Sequence, residues 1–220
     1  MPDALAADLV ALQQSTDRLM GTLEGLDDAA ARRPSLLPGW SVGHVLTHLA
    51  RNADGMVRLV AWAATGVPTP MYASAEARNA EIESGAGRSG DALADDVATS
   101  AARLRDALER LDGLAGEHLD RLLVFGPGRP GAVPDTPAGA LPAARRRELE
   151  IHHVDLDLGY AAADWPADFV ERTLLFVHGR SGAVDVVGEP ADVLAWRLGR
   201  GSGHTVRRLD GSEPGEPPPW

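Results

Sequence analysis

The chain has 220 residues, a formal net charge of −11 at neutral pH and an apolar content of 44%. That length and apolar share allow one sizeable packed domain, or a domain with a small appendage, and the acidic balance argues against a surface built for nucleic acid. There is no cysteine, which excludes disulfides and any protein thiol from the chemistry, so a thiol used by this protein has to arrive as a small molecule.

The opening Met1-Pro2-Asp3-Ala4-Leu5 lacks a basic segment followed by an apolar core, and no apolar run approaches the length that crosses a bilayer. The expectation is a cytoplasmic protein with no membrane contact, monomeric or weakly oligomeric. The lean towards Ala, Arg, Gly, Asp and Val is that of a GC-rich genome.

In chain order, Asp3 is placed to cap a first helix to about Leu23, with Leu5, Leu9, Leu12, Leu19 and Leu23 along one side. Asp27 to Arg33 is turn-prone, and Pro34 to Trp40, with two prolines and a glycine, is irregular. Ser41 caps a second long helix from Val42 to about Ala64, with Gly66 beyond its end. Pro68 and Pro70 interrupt, and a shorter helix over Ala73 to Glu83 carries Arg78 and Asn79 towards solvent or a cavity mouth. A third long helix runs from about Asp91 to Leu114 on the stripe Leu93, Val97, Ala101, Leu104, Leu108 and Leu111. Leu122 to Phe125 reads as a strand or extended piece, and Gly126 to Gly131 as a loop of the kind that covers a bundle end.

A fourth long helix starts near Pro142 and continues to Gly159. Four long helices with short or looping connections make an antiparallel bundle the simplest architecture, assigned to residues 1–163. From residue 164 to 220 the pattern changes to a small α/β unit. A helix opens at Trp165-Pro166 and runs through Val177, Ala183 to Val187 forms a short strand, Glu189-Pro190 opens another helix through Leu198, and Thr205 to Leu209 gives a second strand.

Two helix segments carry the candidate chemistry. Glu148 and His152 are four apart near the end of the fourth helix, and His44 and His48 have the same spacing on the second, so each pair projects from one helix face. A catalytic tetrahedral zinc site takes three protein ligands from His and carboxylate, and His48, Glu148 and His152 satisfy that count. His44 is the rival at the same spacing, and pattern alone leaves the choice open. Glu150 and His153 point away from the shared apex and read as surface or outer-sphere groups. Asp155 is either a hydrogen-bond acceptor behind a ligand histidine or solvated. Asn52, one turn after His48, is the candidate cofactor contact or else a structural polar contact. Of Arg145, Arg146 and Arg147, at most one faces the site, and Trp40 and Trp196 read as core.

The stretch Leu37-Pro38-Gly39-Trp40-Ser41-Val42-Gly43-His44-Val45-Leu46-Thr47-His48-Leu49-Ala50-Arg51-Asn52-Ala53-Asp54 begins a wider pattern. Met71-Tyr72, Arg78-Asn79-Ala80-Glu81-Ile82-Glu83, Glu148-Leu149-Glu150-Ile151-His152-His153-Val154-Asp155-Leu156, Leu194-Ala195-Trp196-Arg197-Leu198-Gly199-Arg200-Gly201 and the ending Pro217-Pro218-Pro219-Trp220 continue it. Together they resemble the mycothiol-dependent maleylpyruvate isomerases of actinobacteria over nearly the whole chain. The resemblance implies a mainly α protein, a DinB-like antiparallel four-helix bundle followed by a small α/β C-terminal domain, with zinc and mycothiol as cofactors. It implies that His48, Glu148 and His152 hold the zinc, deciding His48 over His44, and that Arg200 is the catalytic arginine, with Arg197 and Arg207 as neighbouring alternatives. The implied reaction is the step of gentisate degradation in which a mycothiol thiolate adds reversibly to maleylpyruvate and leaves fumarylpyruvate. The partners are then a small-molecule substrate and a low-molecular-weight thiol. The alternatives are a mycothiol S-transferase acting on another electrophile and a non-catalytic metal- or ligand-binding bundle.

Overall fold

The computed structural model describes residues 2–114, 116–126, 134–201 and 205–217. It is mainly helical, a four-helix bundle followed by a small α/β part. The chain divides into two compact units, Met1–His152 and His153–Trp220.

In the first unit, α1 (Pro2–Leu23) buries Leu5, Leu12, Leu19 and Leu23. Asp3 lies within its first turn. The turn-prone segment holds a short helix, α2 (Asp28–Arg32), because the Asp27 carboxylate accepts from the Ala30 N–H at 2.7 Å. The centre of the unit is α3 (Val42–Thr65), with Ser41 capping its start and Gly66 in the left-handed region at φ 76° closing its end. Val45, Leu46, Leu49, Met56 and Leu59 of α3 are fully buried, each worth about 1.5–3 kcal/mol relative to exposure. A helix buried on most sides belongs at the middle of a bundle. Ser74 caps α4 (Ala75–Gly85), and Ser89 caps α5 (Gly90–Asp112), whose Leu93, Val97, Leu104, Leu108 and Leu111 pack inward.

After the short α6 (Gly116–Leu119), β1 (Leu122–Leu123) pairs antiparallel with β2 (Thr136–Pro137), Leu122 opposite Pro137. A 3₁₀ turn, Ala138–Ala140, then leads into α7 (Leu141–Asp155). Positions 127–131 of the expected covering loop, and 218–220 of the tail, lie outside the described residues. Helix α7 stops at Asp155 rather than Gly159, since Asp157 adopts φ 54° and Gly159 φ 97°, conformations a right-handed helix cannot contain.

In the second unit, α8 (Ala167–Ser181) and α9 (Pro190–Arg197) accompany an antiparallel pair of β3 (Val186–Val187) and β4 (Arg207–Arg208). Val193, Trp196 and Val206 form its core with Leu174, Val184 and Val186 against them, and the Trp196 indole N–H donates to the Gly215 carbonyl at 2.9 Å. Among the described residues no helix is long and apolar enough to cross a membrane.

One close approach holds the first turn of α3 in place. A Cβ at Gly43 would meet the Ala86 carbonyl oxygen at 2.2 Å, a backbone atom that cannot swing aside. Gly43→Ala is therefore expected to part the start of α3 from the end of α4 and cost about 1–3 kcal/mol or more. A urea midpoint equal to that of the parent would contradict this packing.

Candidate metal centre

Ser41 and Gly66 fix the ends of α3, and this register buries the ring of His48 on the inner face of the helix. Glu148 and His152 sit one turn apart on α7, so both side chains leave the same face. The two helices bring three groups together. His48 Nε2 lies 3.1 Å from Glu148 Oε2 and 3.2 Å from His152 Nε2, and His152 Nε2 lies 3.7 Å from the same carboxylate oxygen. Their ligand atoms all fall within 4.8 Å of one another, the one such cluster found among the described residues.

Three ligands at about 2.0–2.2 Å from a tetrahedral ion are themselves roughly 3.3–3.6 Å apart, and 3.1, 3.2 and 3.7 Å bracket that spacing. Donor chemistry agrees. Burial pushes His48 down to about 4, against the opposing pull of Glu148, so its imidazole is neutral at physiological pH. Burial acts to raise Glu148, but the His48 hydrogen bond and the charges of His48, His152 and Arg145 outweigh it and hold the carboxyl near 2. A neutral imidazole and an ionised carboxylate are the forms a divalent cation binds. These residues fit such an ion.

The same shifts set the acid stability of the metal-free protein. Between its ordinary value of 6.5 and about 4, His48 takes up a proton in the unfolded chain but not in the folded one. The fold therefore weakens as pH falls through that window, and Glu148 adds a further loss between 4.5 and about 2. His48→Gln is expected to flatten the pH 6.5 to 4 part of the profile in chemical denaturation. An unchanged slope there would contradict the assignment.

His44 is occupied elsewhere. Its Nδ1 accepts from the Ser41 N–H at 3.1 Å while the His44 N–H faces Ser41 Oγ at 3.4 Å, a capping box with histidine in the place of the usual Glu or Gln. Its Nε2 faces Glu83 at 3.2 Å. Trp40 is half-buried between the two histidines, stacked on His44 at 6.2 Å and edge-on to His48 at 5.8 Å.

Asn52 is buried, with its amide oxygen accepting from Arg145 Nη1 at 2.7 Å. Arg145, 1% exposed, also donates to the Leu49 carbonyl at 2.9 Å and sits in the field of Glu148 and Tyr72. Burial lowers its pKa to about 10, so it stays charged. Arg146 is buried too, its Nε donating to Ser15 at 3.3 Å.

Glu150, His153 and Asp155 are interior, which removes the surface and solvated readings of them. Glu150 is 1% exposed, paired with Arg18 and accepting from Ser15 Oγ at 2.5 Å. His153 stacks on Tyr160 at 3.8 Å. Asp155, 1% exposed, receives Arg200 Nε and Nη2 at 3.1 Å each. Ser15 had a signal in the sequence, since a hydroxyl three residues after Leu12 and four before Leu19 falls on the buried stripe and needs a partner there. Of the alternatives to Arg200, Arg197 is buried against Ser181 Oγ at 2.7 Å, and Arg207 reaches Glu213 at 3.7 Å.

Two helices of the bundle present two histidines and a carboxylate to one point, an arrangement of side chains that could hold a metal ion. The chain belongs to the family described as the mycothiol maleylpyruvate isomerase N-terminal domain, whose model matches residues 12–157. A solved structure of a mycothiol-dependent maleylpyruvate isomerase is similar, with a TM-score of 0.84, 28% identity, and 98% of this chain and 97% of that one covered. A histidine-to-alanine variant of such an isomerase matches with the same TM-score of 0.84 and 28% identity. A comparison with curated protein sequences finds no match.

Proposed function

We propose that this protein is a zinc- and mycothiol-dependent maleylpyruvate isomerase. The observation that carries the proposal is the convergence of His48, Glu148 and His152 within 4.8 Å, in a chain that belongs to this family. Zinc held by these three side chains would lower the pKa of a coordinated thiol and so supply a thiolate at neutral pH. The absence of cysteine fits a nucleophile that comes with the cofactor.

Zinc and mycothiol, when bound, would supply a thiolate able to add reversibly to the cis double bond and to leave again after rotation about the resulting single bond, with no net gain or loss of atoms. The chain holds His48 neutral and Glu148 ionised for this work, and Arg145 keeps positive charge behind Glu148.

Arg200 is assigned as the cation for a substrate carboxylate or enolate in the second unit. Asp155 grips its Nε and Nη2 edge, and the Leu198 carbonyl accepts from Nη1 at 2.6 Å, so the guanidinium plane is fixed before any substrate arrives. Arg200→Ala is expected to retain metal and lower turnover about 100-fold or more. Turnover at the parent rate would remove Arg200 from the chemistry.

Product mass tests the reaction class. An unchanged mass after incubation with maleylpyruvate and mycothiol is the isomerase result, whereas a thiol adduct is that of an S-transferase.

A further inference from the structure

Beside the triad stand two donors that the proposed chemistry has not used. Tyr72 is 6% exposed, and its hydroxyl proton has no acceptor among the described residues, the nearby Arg78 guanidinium being itself a donor. A buried phenol proton left without an acceptor is costly, so the position calls for one. The segment is held firmly, since Arg58 Nη1 donates to the carbonyl of the neighbouring Met71 at 2.6 Å. Burial raises the Tyr72 pKa against the charge and hydrogen bond of Arg78, and the Glu148 carboxylate acts on it too, which places the phenol within the field of the triad.

Arg78 is the second donor. Ser74 caps α4 and sets the helix so that the Arg78 Cζ lies 5.9 Å from the Tyr72 ring centroid and Nη2 lies 3.1 Å from His48 Nδ1. Its other terminal nitrogen donates to Asn79 Oδ1 at 3.0 Å. Arg51 and Arg88, by contrast, share Asp96, and Arg103 takes Asp54. No carboxylate pairs with Arg78 among the described residues.

The contact with His48 has a consequence for proton placement. In the neutral ring one nitrogen carries hydrogen and the other a lone pair. With Arg78 donating to Nδ1, the hydrogen sits on Nε2, directed at Glu148. An ion taking the Nε2 lone pair would put the ring hydrogen on Nδ1, opposite the Arg78 donor, and the guanidinium would then need another acceptor.

We infer that Tyr72 and Arg78 form a carboxylate-binding pair beside the metal centre, and that they take one carboxylate of an unsaturated dicarboxylic substrate. This rests on the reading of the triad as a metal site, and it names the substrate class as a small dicarboxylate.

The test uses the zinc-loaded full chain and succinate, a saturated dicarboxylate to which no thiol can add, titrated by calorimetry. Arg78→Met is expected to weaken succinate binding about tenfold or more and Tyr72→Phe severalfold, with zinc content unchanged in both. Arg78→Lys is expected to recover part of the loss, since it restores the charge but not the fork. Parent-like succinate affinity in both variants, or no binding by the parent, would overturn the inference. Loss of zinc from Arg78→Met would also overturn it, making Arg78 a positioning residue for His48. Variant-sensitive succinate binding without any thiol-dependent isomerisation would leave this pair standing and remove the isomerase assignment instead.

Discussion

Alanine in place of His48 or His152 is expected to strip the protein of bound zinc and to abolish thiol-dependent turnover. On the proposed reading each change removes one of the three side chains that would hold the ion, and the remaining imidazole and carboxylate would not close a site by themselves. The loss of metal affinity should exceed the roughly 10–100-fold that follows from removing an outer-sphere partner. His44→Ala is the matched control, because His44 has the same helical spacing to His48 as His152 has to Glu148 and yet serves the cap of α3. It should keep its zinc and lose about 1 kcal/mol of stability. Stoichiometric zinc in the His48 or His152 variant, by elemental analysis after dialysis, would contradict the ligand assignment.

The second large effect concerns stability. Arg145→Ala is expected to cost about 3–5 kcal/mol in the metal-free protein, measured by urea denaturation. The guanidinium spans the interior between α7 and α3, donating to the Leu49 carbonyl and the Asn52 amide oxygen. Truncation leaves both acceptors without this donor, opens a cavity where a large side chain was fully enclosed, and takes a cation from behind Glu148. Leu49 and Asn52 follow His48 by one residue and by one turn, so the damage falls on the part of α3 that carries His48. Arg145→Lys should recover only part of the loss, since an ammonium cannot reproduce the planar fork. A loss below about 1 kcal/mol would show that Arg145 is dispensable to the packing.

The long helices were legible because their signals are local. Ser41 and Gly66 bound α3, Ser89 opens α5, and leucines at helical spacing mark the inner stripes. The triad was legible for the same reason, as Glu148 and His152 repeat at the period of one helix; the choice of His48 over His44 came from the family resemblance. What escaped the sequence reading was pairing across long separations. Glu150 finds Ser15 at a distance of 135 residues and Asp155 finds Arg200 at 45, so both acids passed for outer or solvated groups. Arg145 was likewise one of three in a basic run, and nothing local marks which of them enters the core. Asn52, weighed between cofactor contact and structural contact, has its oxygen engaged by Arg145. The β1 and β2 pair involves two residues on each side, too few to leave a periodic pattern.

The most direct measurement is turnover of maleylpyruvate by the zinc-loaded protein with and without mycothiol, followed by absorbance while free thiol is titrated. Conversion to fumarylpyruvate that depends on mycothiol and consumes none of it is the expected result. Zinc bound and mycothiol present with no conversion, or conversion that uses up one thiol per substrate, would contradict it.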